Sequence, residues 1–252
     1  MMEWFFSDYT GHQLWMLVFS SLLIGITKTG IPGLGMLAVV LLAGAFPARE
    51  STGLQLVLLA CTDIVAVLWY RRDVQWPIVL RLLPWALGGI ALGSLAMRFI
   101  TDEMMRPILA WVVLGLVIFS YVFRYWDRLK NLPSHWGYPA FFGMTAGLTT
   151  QVANAAGPVM TVYLLSMKLD KNKYMGSVAW YFLILNWIKV PVFFWEGRIT
   201  ETSVRANLGM LPVLLIGAAL GVLILKYIPQ RYFEHTVQLL AALAALKLLL
   251  PF

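Results

Sequence analysis

Charged residues are scarce in this chain of 252 residues. Asp, Glu, Lys and Arg together make up 12% of the sequence, hydrophobic residues make up 60%, and the mean hydropathy is +0.77. Soluble domains carry about 25% charged residues and roughly 45–50% apolar ones. The composition therefore excludes an ordinary soluble domain and predicts an integral membrane protein.

Groups that bind metals or form disulfides are also scarce. A single cysteine, Cys61, excludes an internal disulfide and a cysteine-cluster metal site. The three histidines lie far apart in the sequence, so we expect neither a metal nor a cofactor. The 19 Lys and Arg residues exceed the 12 acidic ones, but they are scattered between apolar runs. They form no basic face, so we expect no nucleic-acid partner.

The apolar residues fall into ten segments that we predict to be helical. The segments cover residues 12–28, 34–46, 50–70, 76–97, 106–124, 137–151, 156–167, 174–195, 202–226 and 231–249. One crossing takes about 20 residues, so six are long enough to cross alone, namely 50–70, 76–97, 106–124, 174–195, 202–226 and 231–249. The other four form two pairs, interrupted by Gly, Pro and polar residues at 28–35 and 149–158. Such interruptions occur at membrane depth only where protein covers the backbone or the backbone lines a wet cavity.

The two halves of the chain share a pattern. Leu83-Pro84, Gly89 and Gly93 recur 128 positions later as Leu211-Pro212, Gly217 and Gly221. At an offset of 123, Gly53 and Asp63 match Gly176 and Asn186, and at an offset of 122, Gly25 matches Gly147. The matches keep one order, so we predict two repeats of five segments, at residues 1–130 and 131–252.

An odd number of segments per repeat predicts that the second repeat enters the membrane from the opposite side. The loops at 71–75, 124–136, 168–173 and 226–234 then share one side, with ten Lys and Arg against four acids. The other side has six Lys and Arg residues against seven acidic residues. By the positive-inside rule the first side is cytoplasmic and both termini are periplasmic. Inverted repeats with broken helices that meet near the midplane are typical of secondary transporters.

Four ionisable residues, Lys28, Asp63, Arg81 and Lys189, lie within or near apolar segments. A charge at the bilayer centre costs about 2.5–3.5 kcal/mol even on the mild insertion scale, so each one needs a partner or a function. Arg81 lies near a segment end, where it can snorkel to the interface. Lys189 either snorkels or lines a site, and Asp63 either pairs with one of the two lysines or carries a proton.

The interrupted stretches suggest an anion site. A helix that begins after a Gly-rich turn presents unpaired N–H groups and the positive end of its dipole. The alternative, a purely structural role, is that these glycines only allow close helix packing. On the next long segment, Asn186 and Lys189 are three residues apart and share a helix face. The candidate substrate-binding residues are Lys28, Thr29, Gly30, Pro32, Gly33, Gly35, Thr149, Thr150, Gln151, Asn154, Gly157, Pro158, Asn186 and Lys189, with Asp63 as coupling residue or charge partner.

Three stretches, at residues 25–35, 154–163 and 180–191, resemble the TauE/SafE family of bacterial sulfite and organosulfonate exporters. The resemblance spans both repeats. It implies a multi-pass transporter of the bacterial inner membrane that moves small anions such as sulfite or sulfoacetate. The match is to the branch with Lys28-Thr29-Gly30 in the first repeat, so the substrate of the best-known members does not carry over.

We therefore expect a secondary transporter, an exporter, that moves a small inorganic or organic anion across the lipid bilayer by alternating access. The expected anion is sulfite, a sulfonate or another sulfur oxyanion. Protons are a candidate coupling ion, and a homodimer is a candidate assembly. A passive anion channel is the alternative, because channels also use broken helices and positive pockets. No H-E-x-x-H, Ser/His/Asp or paired-Asp arrangement appears in the apolar segments, so we do not expect an enzyme.

Overall fold

The computed structural model describes residues 5–31, 34–101 and 136–227, together with single positions between 103 and 122. Its helices are α1 (Gly11–Thr29), α2 (Gly35–Ala45), α3 (Ala48–Tyr70), α4 (Trp76–Met97), α5 (Gly137–Ala153), α6 (Gly157–Ser166), α7 (Lys171–Trp195) and α8 (Glu201–Tyr227). Each described position from 103 to 122 is also helical. The described part of the chain contains helices and no strand, which confirms the predicted all-α class. Segment 231–249 lies outside the described residues.

Helices α3, α4, α7 and α8 are long and apolar enough to cross a membrane. They confirm four of the six predicted single crossings, and the chain is a membrane protein. The other two pairs of helices match the predicted interrupted pairs. Helices α2 and α6 are short, at 11 and 10 residues, and each follows a break.

Local sequence explains where the helices begin and end. Thr10 and Gln13 form a reciprocal cap at the start of α1, since each side chain bonds the backbone N–H of the other. Helix α5 ends at Asn154, which adopts the left-handed conformation with φ of 51°. Asparagine is one of the few residues that adopts this conformation readily. Pro158 lies in the first turn of α6, where a missing N–H costs nothing.

Helices of each half of the chain pack against helices of the other half, an arrangement that we call the helix exchange. Helix α1 packs along α8, and α5 packs along α4. One apolar cluster joins α1, α2 and α3 to α8, and the larger cluster joins α5, α6 and α7 to α4. The first helices of each half thus form a core with the fourth helix of the other half.

Glycines make this exchange possible. A Cβ at Gly25 would lie closer than 3.0 Å to the α8 backbone at Leu214, and one at Gly147 would overlap the α4 backbone at Ala86. Leu214 stands 128 positions after Ala86, and Gly147 stands 122 after Gly25, so the two contacts match in the predicted repeat. Gly25 and Gly147 therefore allow close packing between helices.

A second matched contact involves the third helix of each half. Gly53 of α3 lies against the carbonyl of Arg198, just after α7, and Gly176 of α7 lies against Tyr70 and Asp73, at the end of α3. Two copies of one unit that exchange helices would make such reciprocal contacts. The domain boundary near residue 130 and the opposite orientation of the halves in the membrane stay predictions.

Candidate functional site

A cavity lies where the two interrupted pairs meet. Its empty volume is about 670 Å³, the open mouth included. The residues that line it are Thr27, Lys28, Gly35, Met36, Val39, Gln55, Leu59, Thr150, Asn154, Ala155, Gly157, Pro158, Met160, Tyr174, Val178, Phe182 and Asn186. They come from both pairs and from α3 and α7, so the two interruptions are neighbours in space.

Two helix N-termini line this cavity. Helix α2 begins at Gly35 and α6 at Gly157, and among the described residues neither start has a side-chain cap. A Cβ at Gly157 would meet no atom within 4 Å, and one at Gly35 would contact only the side chain of Thr27. Both glycines line the cavity. Two helix dipoles place their positive ends at the same hollow.

Lys28 lines the cavity at the C-terminal end of α1, where the helix dipole favours a cation. Its Nζ lies 2.6 Å from Oδ1 of Asp63 and 4.2 Å from the centre of the Phe182 ring. The structure thus pairs Asp63 with Lys28 rather than with Lys189. Lys28 is 6% exposed and Asp63 is fully buried, so the lysine lies between the carboxylate and the open space.

A hydrogen-bond network extends from Asp63 to the second half. Asn186 donates to Oδ2 of Asp63 at 2.6 Å, which joins the two residues that the repeat pattern matches. Lys189 donates to Oδ1 of Asn186 at 3.3 Å and to Oδ1 of Asn154 at 2.7 Å. It also reaches the hydroxyl and the carbonyl of Thr150, at 2.8 Å and 2.9 Å.

This network explains Lys189. The residue is fully buried, so it does not snorkel, and its four oxygen partners are all uncharged. Three of the four belong to the C-terminal end of α5 and the break after it. An ammonium here satisfies carbonyl and amide oxygens at the negative end of a helix dipole. Lys189 therefore stabilises the backbone conformation at the second interruption.

The network brings two lysines and one carboxylate together. Lys28 pairs directly with Asp63, and Lys189 is joined to both through Asn186. An ammonium has three N–H donors. Among the described residues, Lys28 uses one on Asp63, so further donors are available to a ligand in the cavity. Hydrogen bonds from such an ammonium to an anion are charge-assisted and stronger than neutral ones.

Several predicted site residues lie behind the cavity rather than on its wall. These are Thr29, Gly30, Thr149, Gln151 and Lys189. Thr29 donates to the carbonyl of Ala218 at 2.6 Å, and Gly30 lies against Gly221, so both fix α1 on α8. Pro32 and Gly33 lie outside the described residues.

Sequence reasoning missed several lining residues of the long helices. On α7 these are Tyr174, Val178 and Phe182, which precede Asn186 by twelve, eight and four residues. On α3, Gln55 precedes the buried aspartate by eight residues. Positions four apart share a helix face. Extending that spacing from the two polar residues of the spanning helices would have identified them.

A second polar cluster lies beside the C-terminal end of α5. Arg198, which the sequence assigns to a loop, is fully buried, pairs with Glu196 at 2.7 Å and donates to the carbonyl of Gln151 at 2.9 Å. Its guanidinium lies 4.0 Å from the centre of the Phe193 ring. Burial lowers the pKa of Arg198 to about 10, against the opposing effect of Glu196. The guanidinium still remains charged at neutral pH.

Comparison with known proteins gives a family. No curated protein and no solved structure matches the chain. The family model described as sulfite exporter TauE/SafE matches residues 17–248, a range that includes both interruptions and every residue that lines the cavity. The chain therefore belongs to the TauE/SafE sulfite exporter family, a family of membrane transporters.

Proposed function

We propose that this protein is a secondary transporter that exports sulfite or another small sulfur oxyanion or sulfonate by alternating access. The observation that carries the proposal is the convergence of two uncapped helix starts and Lys28 on one cavity. Family membership supports a sulfur-containing anion. The bacterial inner membrane, with both termini on the periplasmic side, is part of the same proposal.

In the bound state, an oxyanion would accept from the Lys28 ammonium and from backbone N–H groups in the first turns of α2 and α6. The Thr27 hydroxyl lines the cavity and has no partner among the described residues, so it supplies a further donor. Charge-assisted hydrogen bonds of this kind are about twice as strong as neutral ones. Asn154 and Thr150 complete the wall, and Lys189 holds them in place.

The exchanged helix packing supports a movement of rigid units. Backbone lies directly on backbone at Gly25 in the α1–α8 pair and at Gly147 in the α4–α5 pair. Tightly packed interfaces resist gradual deformation and change between discrete arrangements. Each pair would therefore move as one body, and the cavity would open to one side of the membrane and then to the other.

The test is transport by the purified full chain in proteoliposomes. Radiolabelled sulfite uptake is measured with and without unlabelled sulfite inside, together with the electrical current across the membrane. We expect internal sulfite to accelerate uptake, which is the mark of a carrier. A steady anion current without exchange would identify a passive channel instead, and the absence of both would overturn the proposal.

A matched pair of lysine variants makes the test specific. Lys28→Met is combined with Asp63→Asn so that no uncompensated carboxylate stays buried. Lys226→Met makes the same change at an exposed position at the end of α8. We expect transport to fall at least about tenfold in the first variant, since one charge-assisted hydrogen bond contributes roughly 1.5–3 kcal/mol. Lys226→Met should leave it unchanged.

A further inference from the structure

The cavity lies between the two ends of the α3–α7 pair. These helices pack on each other and run in opposite directions. Gly53, near the start of α3, lies against Arg198 just after α7, and Gly176, near the start of α7, lies against Tyr70 at the end of α3. Gly53 and Tyr70 are 17 residues apart, or about 25 Å along the helix axis. Leu59 lines the cavity between these two levels. An anion that crosses the membrane through the cavity therefore passes both ends.

At one end of the α3–α7 pair, a tyrosine hydroxyl bonds the C-terminal end of α1. The hydroxyl of Tyr70 donates to the carbonyl of Thr29 at 2.6 Å, and both residues are buried. Thr29 is the last residue of α1, and its own hydroxyl donates to the carbonyl of Ala218 in α8. The Tyr70 bond therefore ties the α1–α8 pair to α3 through two neutral groups.

At the other end of the α3–α7 pair, a guanidinium makes the matching bond. Phe193 stands 123 positions after Tyr70, and Gln151 stands 122 positions after Thr29, so the repeat pattern matches both partners. Phe193 has no hydroxyl to donate. Instead, the Arg198 guanidinium lies 4.0 Å from the centre of the Phe193 ring and donates to the carbonyl of Gln151 at 2.9 Å. Arg198 therefore takes the part in the second half that Tyr70 takes in the first.

The bond from Arg198 belongs to a charged cluster. Arg198 pairs with Glu196 at 2.7 Å. The side-chain amide of Gln151 donates to Oε1 of Glu196 at 3.1 Å and to the hydroxyl of Ser94, on α4, at 2.8 Å. Arg198 is fully buried, whereas the side chain of Glu196 is 19% exposed. The cluster therefore ties the α4–α5 pair to the end of α7 through an ion pair that lies at the edge of the protein interior.

We propose, on the basis of the proposed function, that these two contacts are the gates of the transport cycle. The Tyr70 gate, formed by Tyr70 and Thr29, closes the cavity toward one face of the membrane. The Arg198 gate, formed by Arg198, Glu196 and Gln151, closes it toward the other face. Each gate opens when the α1–α8 pair or the α4–α5 pair moves away from α3 and α7.

The two gates differ in strength. Hydrogen bonds that involve a charged group contribute about twice as much as neutral ones, so the Arg198 gate opens less readily than the Tyr70 gate. In the predicted orientation the Tyr70 gate faces the cytoplasm. The empty cavity would then open more often toward the compartment from which an exporter takes its substrate.

The experiment measures access to the cavity from each face of the membrane. The substitutions Cys61→Ala and Gly157→Cys move the single thiol of the chain into the cavity, where a Cβ at position 157 meets no atom within 4 Å. Right-side-out and inside-out membrane vesicles that contain the full chain are treated with a membrane-impermeant methanethiosulfonate reagent. The readout is the rate of thiol labelling from each face.

Variants of the two gates should act at opposite faces. Tyr70→Phe removes one neutral hydrogen bond, so labelling should rise roughly twofold to tenfold from one face, which is the cytoplasmic face in the predicted orientation. Arg198→Gln removes the hydrogen bonds of a charged group, so labelling should rise at least about tenfold from the opposite face. Arg198→Lys keeps a charge beside Glu196 and should give a smaller rise from the same face as Arg198→Gln.

Matched controls make the same changes away from the gates. Tyr227→Phe and Arg98→Gln alter exposed residues at the ends of α8 and α4, and both should leave the two labelling rates unchanged. Melting temperatures show which variants fold. If Arg198→Gln does not fold, Arg198→Lys provides the comparison.

The outcomes separate the gates from the proposed function. Unchanged labelling in a folded gate variant, or a rise from the same face for both gates, would overturn the gates. Sulfite exchange by the wild type would then leave the proposed function standing. Rises from opposite faces, in a protein whose wild type exchanges no sulfite, would support the gates and overturn the proposed function.

Discussion

The buried pair of Lys28 and Asp63 allows stability and binding to be separated. Lys28→Met leaves the Asp63 carboxylate fully buried, with Asn186 as its remaining partner among the described residues. Removing one partner of a buried ion pair costs about 3–5 kcal/mol, because the other charge is left uncompensated. Replacing both partners removes that cost. We therefore expect Lys28→Met to destabilise the protein strongly and the Lys28→Met/Asp63→Asn double variant to recover most of the stability.

Binding should follow a different order. Asp63 occupies an ammonium donor of Lys28 that an anion could use. In Asp63→Asn this donor is released and the carboxylate that competes with the anion is removed, so sulfite should bind more tightly than in the wild type. In the double variant the protein is stable again, but sulfite should bind at least about tenfold more weakly than in the wild type.

The assay compares the wild type, both single variants and the double variant. Unfolding in mixed detergent micelles gives the stability of each protein, and the double-mutant cycle isolates the coupling between the two residues. Calorimetry gives sulfite affinity. A double variant as unstable as Lys28→Met would refute the ion-pair argument. Weaker binding in Asp63→Asn than in the wild type would refute the competition between carboxylate and substrate.

Three further predictions concern packing, access and a helix cap. Gly25→Ala should destabilise the protein by about 1–3 kcal/mol through overpacking against α8, whereas Gly11→Ala, with open space around it, should not lower the melting temperature. Gly157→Leu should fill the cavity and abolish sulfite binding in a protein that still unfolds near the wild-type temperature, because no atom lies within 4 Å of its Cβ position; unchanged affinity would contradict the assigned site. Asp170→Ala should cost about 1 kcal/mol by removing the cap of α7. The pKa of Asp170 is lowered because the backbone N–H of Lys173 donates to its carboxylate. This stabilisation is therefore present above the unfolded-state pKa, which is about 3.9, and is lost as the pH falls through the lower folded-state pKa. Melting curves measured from pH 2 to pH 7 would show this loss.

The sequence was sufficient to predict the helices and the positions of the two interruptions. Apolar length predicted six spanning helices, of which four are confirmed in the described part of the chain, and the Gly and Pro residues after Thr29 and Asn154 predicted two breaks. These features depend on local residues and on the bilayer thickness. For the same reason, the charge and break at Lys28 could be identified as a candidate site before the fold was known.

The contacts between distant helices could not be predicted. The matched glycines at 25 and 147 predicted a repeat, but no local signal shows that each one packs on the other half. Lys189 and Arg198 are similar cases. Both lie near a helix end, where snorkelling is the usual expectation, and both are fully buried because distant carbonyl groups accept their hydrogen bonds. The apolar lining residue Met160 resembles any other methionine in the sequence.

The exchange of helices has a consequence for biosynthesis. Thr29 of α1 bonds the carbonyl of Ala218 in α8, 189 residues later in the chain. At about 5–20 residues per second, the ribosome takes roughly 10–40 seconds to make that partner. Throughout that interval the glycine face of α1 lies against lipid or the insertion machinery. Native tertiary structure in the first half must therefore wait for the second, and a nascent chain stalled before α8 would offer the cell's membrane proteases an unprotected helix.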